Sequence, residues 1–347
     1  MQPIVHIFWN QGERRLRAFW RLSGQLILVF LFTLPLMLLT PLVALGYLLA
    51  QDTVPITELA DPLVLQAYLA QSPVMAIVSS FVTLIAILLS TWIAGRFLDR
   101  RRFSDFGLRL SRDWWIDFGF GLLLGALLVT LIFLIQLFTG WIKVTGTLVT
   151  HNQGMVFPLA ILVYLAMFVA VGIYEELLFR GYQLQNLAEG LRGKLLPPQL
   201  AVILATLLSS TVFGVMHMTN PNSSLVSTLN IIMAGILLLA TGYILTGELA
   251  IPIGVHITWN FFMGNIFGFP VSGLDVSATT LISTQPTGPA LWTGGAFGPE
   301  AGLVGLFAML LGGVLTALWV KVRYGSLGIC QKLAEPPAEL IKLSIEE

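Results

Sequence analysis

The stretch "FPLAILVYLAMFVAVGIYEELLFRGYQ", residues 157–183, sets two adjacent glutamates and an arginine directly behind eighteen residues that carry no charge. An uncharged apolar run of that length reads as a spanning helix, which needs about 20 mostly apolar residues. The whole chain agrees. Of its 347 residues 56% are hydrophobic and 10% charged, with a mean hydropathy of +0.86, against about 25% charged in a soluble domain. The chain belongs to the membrane class. Lys+Arg and Asp+Glu both number 18, so net charge points to no nucleic-acid partner. The expected partner is the lipid bilayer.

The same rule applied along the chain gives eight spans, roughly 24–49, 74–95, 115–139, 156–176, 199–218, 226–245, 249–268 and 302–320. Inside hydrocarbon every peptide group must be paired within its own segment or in a closed barrel. The ten-residue alternation of a barrel is missing from these runs. The fold class is therefore all-α, a polytopic membrane helical bundle of about eight transmembrane helices. The first apolar run follows a basic stretch and is too long for the core of a cleavable signal. Cys330 is the single cysteine, which rules out an internal disulfide and any multi-cysteine metal site.

Lys and Arg bias in short loops sets orientation. Arg14, Arg15, Arg17 and Arg21 precede the first span; Arg96, Arg100, Arg101, Arg102, Arg109 and Arg112 separate the second from the third. Arg192 and Lys194 follow the fourth, and Lys321, Arg323, Lys332 and Lys342 follow the eighth. Alternate loops hold Lys143 alone, and 51–73 carries Asp52, Glu58 and Asp61. Both termini are expected to be cytoplasmic, in a plasma (inner) membrane. Four parts follow: an N-terminal three-helix membrane region over 1–150, a core over 151–270, an extended loop over 271–301, and a last helix with a cytoplasmic tail over 302–347. The Gly-, Pro-, Ser- and Thr-rich 269–300 connection is unstructured by pattern and reads as a cover over the bundle.

Charge inside the core needs a reason, because an ionised side chain at mid-bilayer costs about 2.5–3.5 kcal/mol on insertion scales. Glu176 and Arg180 stand i,i+4, where side chains on a helix meet, so they can form an ion pair. Glu175 lies about 100° round the helix and must find a partner elsewhere. Two histidines sit in apolar surroundings, His217 in "STVFGVMHM" and His256 in "IPIGVHITWN"; His256 and Asn260, and likewise Phe213 and His217, are i,i+4. His6 and His151 are terminal or loop residues and are set aside. A carboxylate to take a proton from water, a histidine to orient that water and donors for an oxyanion make up an intramembrane hydrolytic site.

At these residues the chain resembles a known family. "EELLFR" reads as E-E-x-x-x-R, "FGVMH" as F-x-x-x-H and "HITWN" as H-x-x-x-N. In that order the three look like the motifs of the CPBP (CAAX protease and bacteriocin-processing, or Abi) intramembrane endopeptidases, over roughly 155–270. The resemblance implies Glu175 as general base, assisted by His217, with His256 and Asn260 binding the oxyanion. Glu176 and Arg180 would be structural, and Phe213 supporting. The family is filed with metalloproteases, although a metal-free glutamate mechanism has been argued for it. Glu175, His217 and His256 can make a His₂Glu Zn²⁺ site with water as the fourth ligand, so both mechanisms stay open. Hydrolysis of a peptide bond in a peptide or membrane-protein substrate is expected near the cytoplasmic membrane face. The alternatives are a non-catalytic membrane scaffold or immunity protein, and a proton- or ion-coupled transporter.

One geometric demand follows from the sequence. If the fourth helix ended at Arg180, Glu175 would sit near the surface while His217 lay ~27 Å deeper. They can share a water only if the helix continues to about 188, through "GYQLQNLAEG". The sequence therefore predicts one long helix through the E-E-x-x-x-R motif.

Overall fold

The computed structural model describes residues 6–51, 61, 73–151, 155–193 and 196–337; Asp52, Glu58, Lys194 and Lys342, used above for orientation, lie outside them. Eight main helices carry the described chain. They are α1 (Ala18–Gln51), α2 (Pro73–Ile93), α3 (Arg112–Phe138) and α4 (Phe157–Leu191), then α5 (Pro198–Met216), α6 (Leu225–Thr246), α7 (Ala250–Phe261) and α8 (Leu303–Tyr324). All but α7 are long and apolar enough to cross a membrane, seven among the described residues. The molecule is a polytopic helical membrane bundle.

Two differences from the sequence reading bear on the site. The expected seventh span is short: α7 and its continuation Phe262–Ile266 fill the interior instead of facing lipid. From Ala250 to Asn260 every residue except Thr258 is buried. It packs on α3, α4 and α6. The seam with α3 is backbone against backbone. A Cβ on Gly121 would lie 2.5 Å from Ile251 O, one on Gly125 2.5 Å from Val255 O, and one on Gly254 2.5 Å from Phe118 O. Small residues four apart let helices approach this closely where no hydrophobic force drives association. Residue 150 is therefore no packing boundary, because α3 grips the core.

The 269–300 connection is also not unstructured. Thr279–Pro286 (β4) pairs antiparallel with Ile142–Thr150 (β3), with an irregularity between Val144 and Gly146. Ahead of α1, Trp9–Asn10 (β1) and Arg15–Leu16 (β2) make a small hairpin.

The long fourth helix is present as one 35-residue run. Its middle, Leu177–Leu184, is π-helical. Wide turns of this kind release carbonyls and recur at functional sites. Here Ser209 on α5 donates its hydroxyl to Phe179 O at 2.7 Å. A second π segment, Ala234–Leu239 in α6, offers Gly235 O to Arg180 at 3.4 Å.

The two ends of the bundle differ. At one end Arg21 pairs with Asp99 (3.0 Å) and Arg101 with Glu189 (2.6 Å), while Tyr182 donates to Asp99 at 2.7 Å. Arg15 also reaches Glu189, and Arg101 reaches Glu335 O. N-terminal and C-terminal segments therefore meet at this arginine end. The β3–β4 ribbon marks the other.

Candidate active site

Glu175 and Glu176 fall where α4 widens into its π turns, and their surroundings separate them. Glu176 is fully buried, and its Oε1 takes both Arg180 Nη1 at 3.0 Å and His256 Nδ1 at 2.7 Å. The local pair read from i,i+4 spacing exists. The second bond, from a residue 80 positions away, was invisible in the sequence. It matters chemically, since donating Nδ1–H to Glu176 fixes the ring and turns Nε2 of His256 towards Glu175, 3.6 Å away.

Glu175 keeps 18% of its side chain exposed. Among the described residues it accepts no hydrogen bond, and that nearby imidazole is its one charged neighbour within ion-pair reach. It lines a cavity of about 400 Å³ together with His217, His256, Asn260, Ser272 and Glu300. All four residues expected to act on substrate thus border one space. His217 begins the turn after α5 and holds its Nδ1 on Phe213 O at 2.7 Å. A carbonyl can only accept, so Nδ1 carries a proton, and in the neutral ring Nε2 is the acceptor.

Phe213 has a definite task. Its face lies 4.5 Å from the Arg180 guanidinium, and its ring 4.6 Å from the His217 ring. A cation over an aromatic face is attracted by the ring quadrupole. One phenylalanine thereby braces both the ion pair and the histidine. Asn260 is buried on the helix face of His256 and borders the cavity.

Sequence reasoning missed Glu300. This buried carboxylate accepts from Trp259 Nε1 at 3.0 Å, from Ser272 N–H at 2.6 Å and from Ser272 Oγ–H at 2.8 Å. It ties the 271–276 segment to α7 beside Asn260. Asn220 Nδ2 adds a bond to Ser272 O at 2.8 Å. The expected cover is thus seated in part: Val271, Ser272, Leu274 and Val276 wall the cavity. The only hint in the sequence was a lone acid just before an apolar span.

The cavity is closed towards the arginine end by the buried Phe179, Leu238 and Leu239. Its polar wall, Asn220, Ser272 and Glu300, lies at the ribbon end. Glu175 stands sixteen residues before Leu191, ~24 Å along the helix from its arginine-end terminus.

A zinc ion would need its donors to converge. Among the described residues no three His, Cys, Asp or Glu side chains come together as such a group. Glu175, His217 and His256 border one cavity without converging as such a group.

Residues 157–262 match the family model described as type II CAAX prenyl endopeptidase Rce1-like. Over this stretch the chain is similar to the CAAX-type endopeptidases. The match runs from the start of α4 to just past Asn260, so it spans all three motifs and the glycine-seated α7. The coarse activity comes with it: an intramembrane endopeptidase of the CAAX type, in an integral multi-pass membrane protein. The chain matches no curated protein and no solved structure.

Proposed function

We propose that this CAAX-type endopeptidase hydrolyses its peptide bond inside the bundle, with Glu175 as the base and no obligatory metal. The observation that carries this reading is the unequal fate of the two glutamates. Glu176 is spent on Arg180 and His256, whereas Glu175 faces the shared cavity with no hydrogen-bonded partner among the described residues.

Water attacks the scissile carbonyl carbon as its proton passes to the Glu175 carboxylate. His217, with Nε2 unprotonated, accepts from that water and aims it. The carbonyl oxygen becomes an oxyanion, held by Asn260 Nδ2 and by His256 Nε2–H. Donation by His256 needs a proton on both ring nitrogens, and the two carboxylates beside it supply the compensating charge. When the C–N bond breaks, Glu175 returns its proton to the leaving amine. Phe179, Phe213 and Trp259 line the same space and lower the polarity around these groups, which strengthens charge stabilisation.

The substrate class that suits the cavity is a peptide segment reaching it from the ribbon end or sideways from the lipid. The basic loops at the other end support an arginine end in the cytoplasm, by the bias of Lys and Arg towards that side. The proposed cleavage position is therefore in the interior, displaced from the cytoplasmic face expected from the motifs.

The test uses purified full-length protein and a fluorogenic peptide panel, prenylated and unprenylated. Glu175→Gln should cut kcat by about 10²–10⁴-fold, the range of a general base, and His217→Ala should lose activity with it. Wild-type activity should persist with a chelator. Unchanged turnover in Glu175→Gln would remove it as the base. Chelator-sensitive activity restored by zinc would overturn the metal-free reading.

A further inference from the structure

The arginine end holds a second cavity, of about 670 Å³, that the proteolytic site does not use. It is lined by Trp92, Arg96, Arg100, Arg101, Arg102 and Asp105. Its shape comes from one turn of backbone. After α2 the chain runs through a π segment, Ala94–Asp99, and stops at Arg100, which adopts the left-handed conformation at φ 57°. Arg101 N–H then closes back on Gly95 O at 2.8 Å. The reversal brings Arg100–Arg102 beside Arg96, which stands one helical turn beyond Trp92.

Charge in this hollow is lopsided. Four arginines face one carboxylate, Asp105, which accepts from the Arg102 backbone N–H at 3.1 Å. Arg101 is turned inward onto Glu189. Among the described residues neither Arg96 nor Arg100 has a hydrogen-bonding or acidic partner, and both are exposed. Orientation by positive loops asks only for basic residues near a span end; it does not ask that they surround a cavity. Guanidinium forks match the paired oxygens of a phosphate group.

The position of the hollow indicates where such a group comes from. Trp92 is 52% exposed and Phe97 68% exposed, at the end of a membrane span. Aromatic side chains of this kind sit at headgroup level. A phosphate at that depth belongs to a lipid.

We propose that the cavity bounded by Arg96, Arg100, Arg101 and Arg102 binds the phosphate headgroup of an anionic phospholipid. Binding here ties the lipid to the same loop whose Asp99 and Arg101 hold Glu189 and Tyr182 of α4. The contact does not involve substrate.

The experiment is native mass spectrometry of the detergent-purified full chain titrated with phosphatidylglycerol or with phosphatidylcholine. Wild type should hold one phosphatidylglycerol at least tenfold more tightly than phosphatidylcholine. Arg96→Gln/Arg100→Gln should abolish that preference. The control pair Arg112→Gln/Arg192→Gln, with the same charge change outside the cavity, should keep it. Equal retention by wild type and the Arg96/Arg100 variant overturns the site, as does equal loss in the control pair. Displacement of the lipid by millimolar inorganic phosphate would mean a free anion is the ligand and overturn the lipid assignment. Chromatographic homogeneity of each variant checks folding. Because no cleavage is read, failure of the protease mechanism and failure of this site are separately visible.

Discussion

Helices α1 and α7 are both apolar segments that a hydropathy scan reads as spans, yet they lie at opposite extremes of the molecule. Only 6% of the most apolar stretch of α1 is buried in protein. Nearly all of α7 is buried. In water a continuous apolar run must find a core. In a bilayer lipid satisfies it equally well, so hydrophobicity reports depth in the membrane and says nothing about position within the bundle. What separates the two helices is what interrupts the apolar run. α7 carries Gly254, His256 and Asn260 in mid-run; beyond Gln25, α1 is interrupted by Thr33, Pro35, Thr40, Pro41 and Gly46 without a charged residue or histidine, and Gly46 has open space where a Cβ would stand.

That contrast can be broken by substitution, starting where the effect is largest. Arg180→Ala leaves Glu176 buried beside His256 without its cation, and removing one partner of a buried pair costs about 3–5 kcal/mol. Thermal unfolding in detergent should show a severely destabilised protein; a melting temperature within a degree or two of wild type would mean that the pair does not hold α7 in place. Gly254→Leu comes next. It drives a side chain into the Phe118 carbonyl of α3, an overpacking that costs about 1–3 kcal/mol, whereas Gly46→Leu on α1 should be silent. Equal melting shifts for the two glycines would erase the distinction between the interior helix and the lipid-facing one.

Glu300→Gln probes the edge of the same interior. It keeps the shape, but the amide has one accepting oxygen, so either the Trp259 bond or the two Ser272 bonds meet an NH2 that cannot accept. Charge-assisted bonds of this kind are worth about 1.5–3 kcal/mol each. The expected result is looser seating of 271–276, read as a rise in KM several times larger than the fall in kcat. A pure kcat loss would move Glu300 from positioning the wall to acting on substrate. Smallest of all is Leu38→Ala. Leu38 is 76% exposed towards lipid, and surface changes away from special features stay within about 0.5 kcal/mol. A large destabilisation there would reveal a protein contact that α1 makes outside the described residues.

Much of the fold was legible because its signals are local. Apolar length located most of the spans, but it started α1 late, ended the fourth at 176 where α4 runs to Leu191, and counted the buried α7 as a span. The demand that Glu175 approach His217 foretold that α4 runs on past Arg180. The Glu176–Arg180 pair followed from helix geometry alone. Less local features escaped. The β3–β4 ribbon joins segments whose paired residues are more than a hundred positions apart; β3 alternates from Ile142 to Leu148, but Thr279–Pro286 shows no matching alternation to announce its partner.

By itself, then, the sequence determined an all-helical membrane bundle, its span order, and the small set of polar residues that an apolar chain would not carry without cause. Tertiary structure decided what each of them does. It gave Glu176 a second partner in His256, left Glu175 at the cavity, and brought Glu300 to Trp259 and Ser272. The physical reason is range. Helix formation and membrane insertion depend on neighbours a few residues away, whereas a hydrogen bond between distant segments exists only once packing has fixed both partners in space.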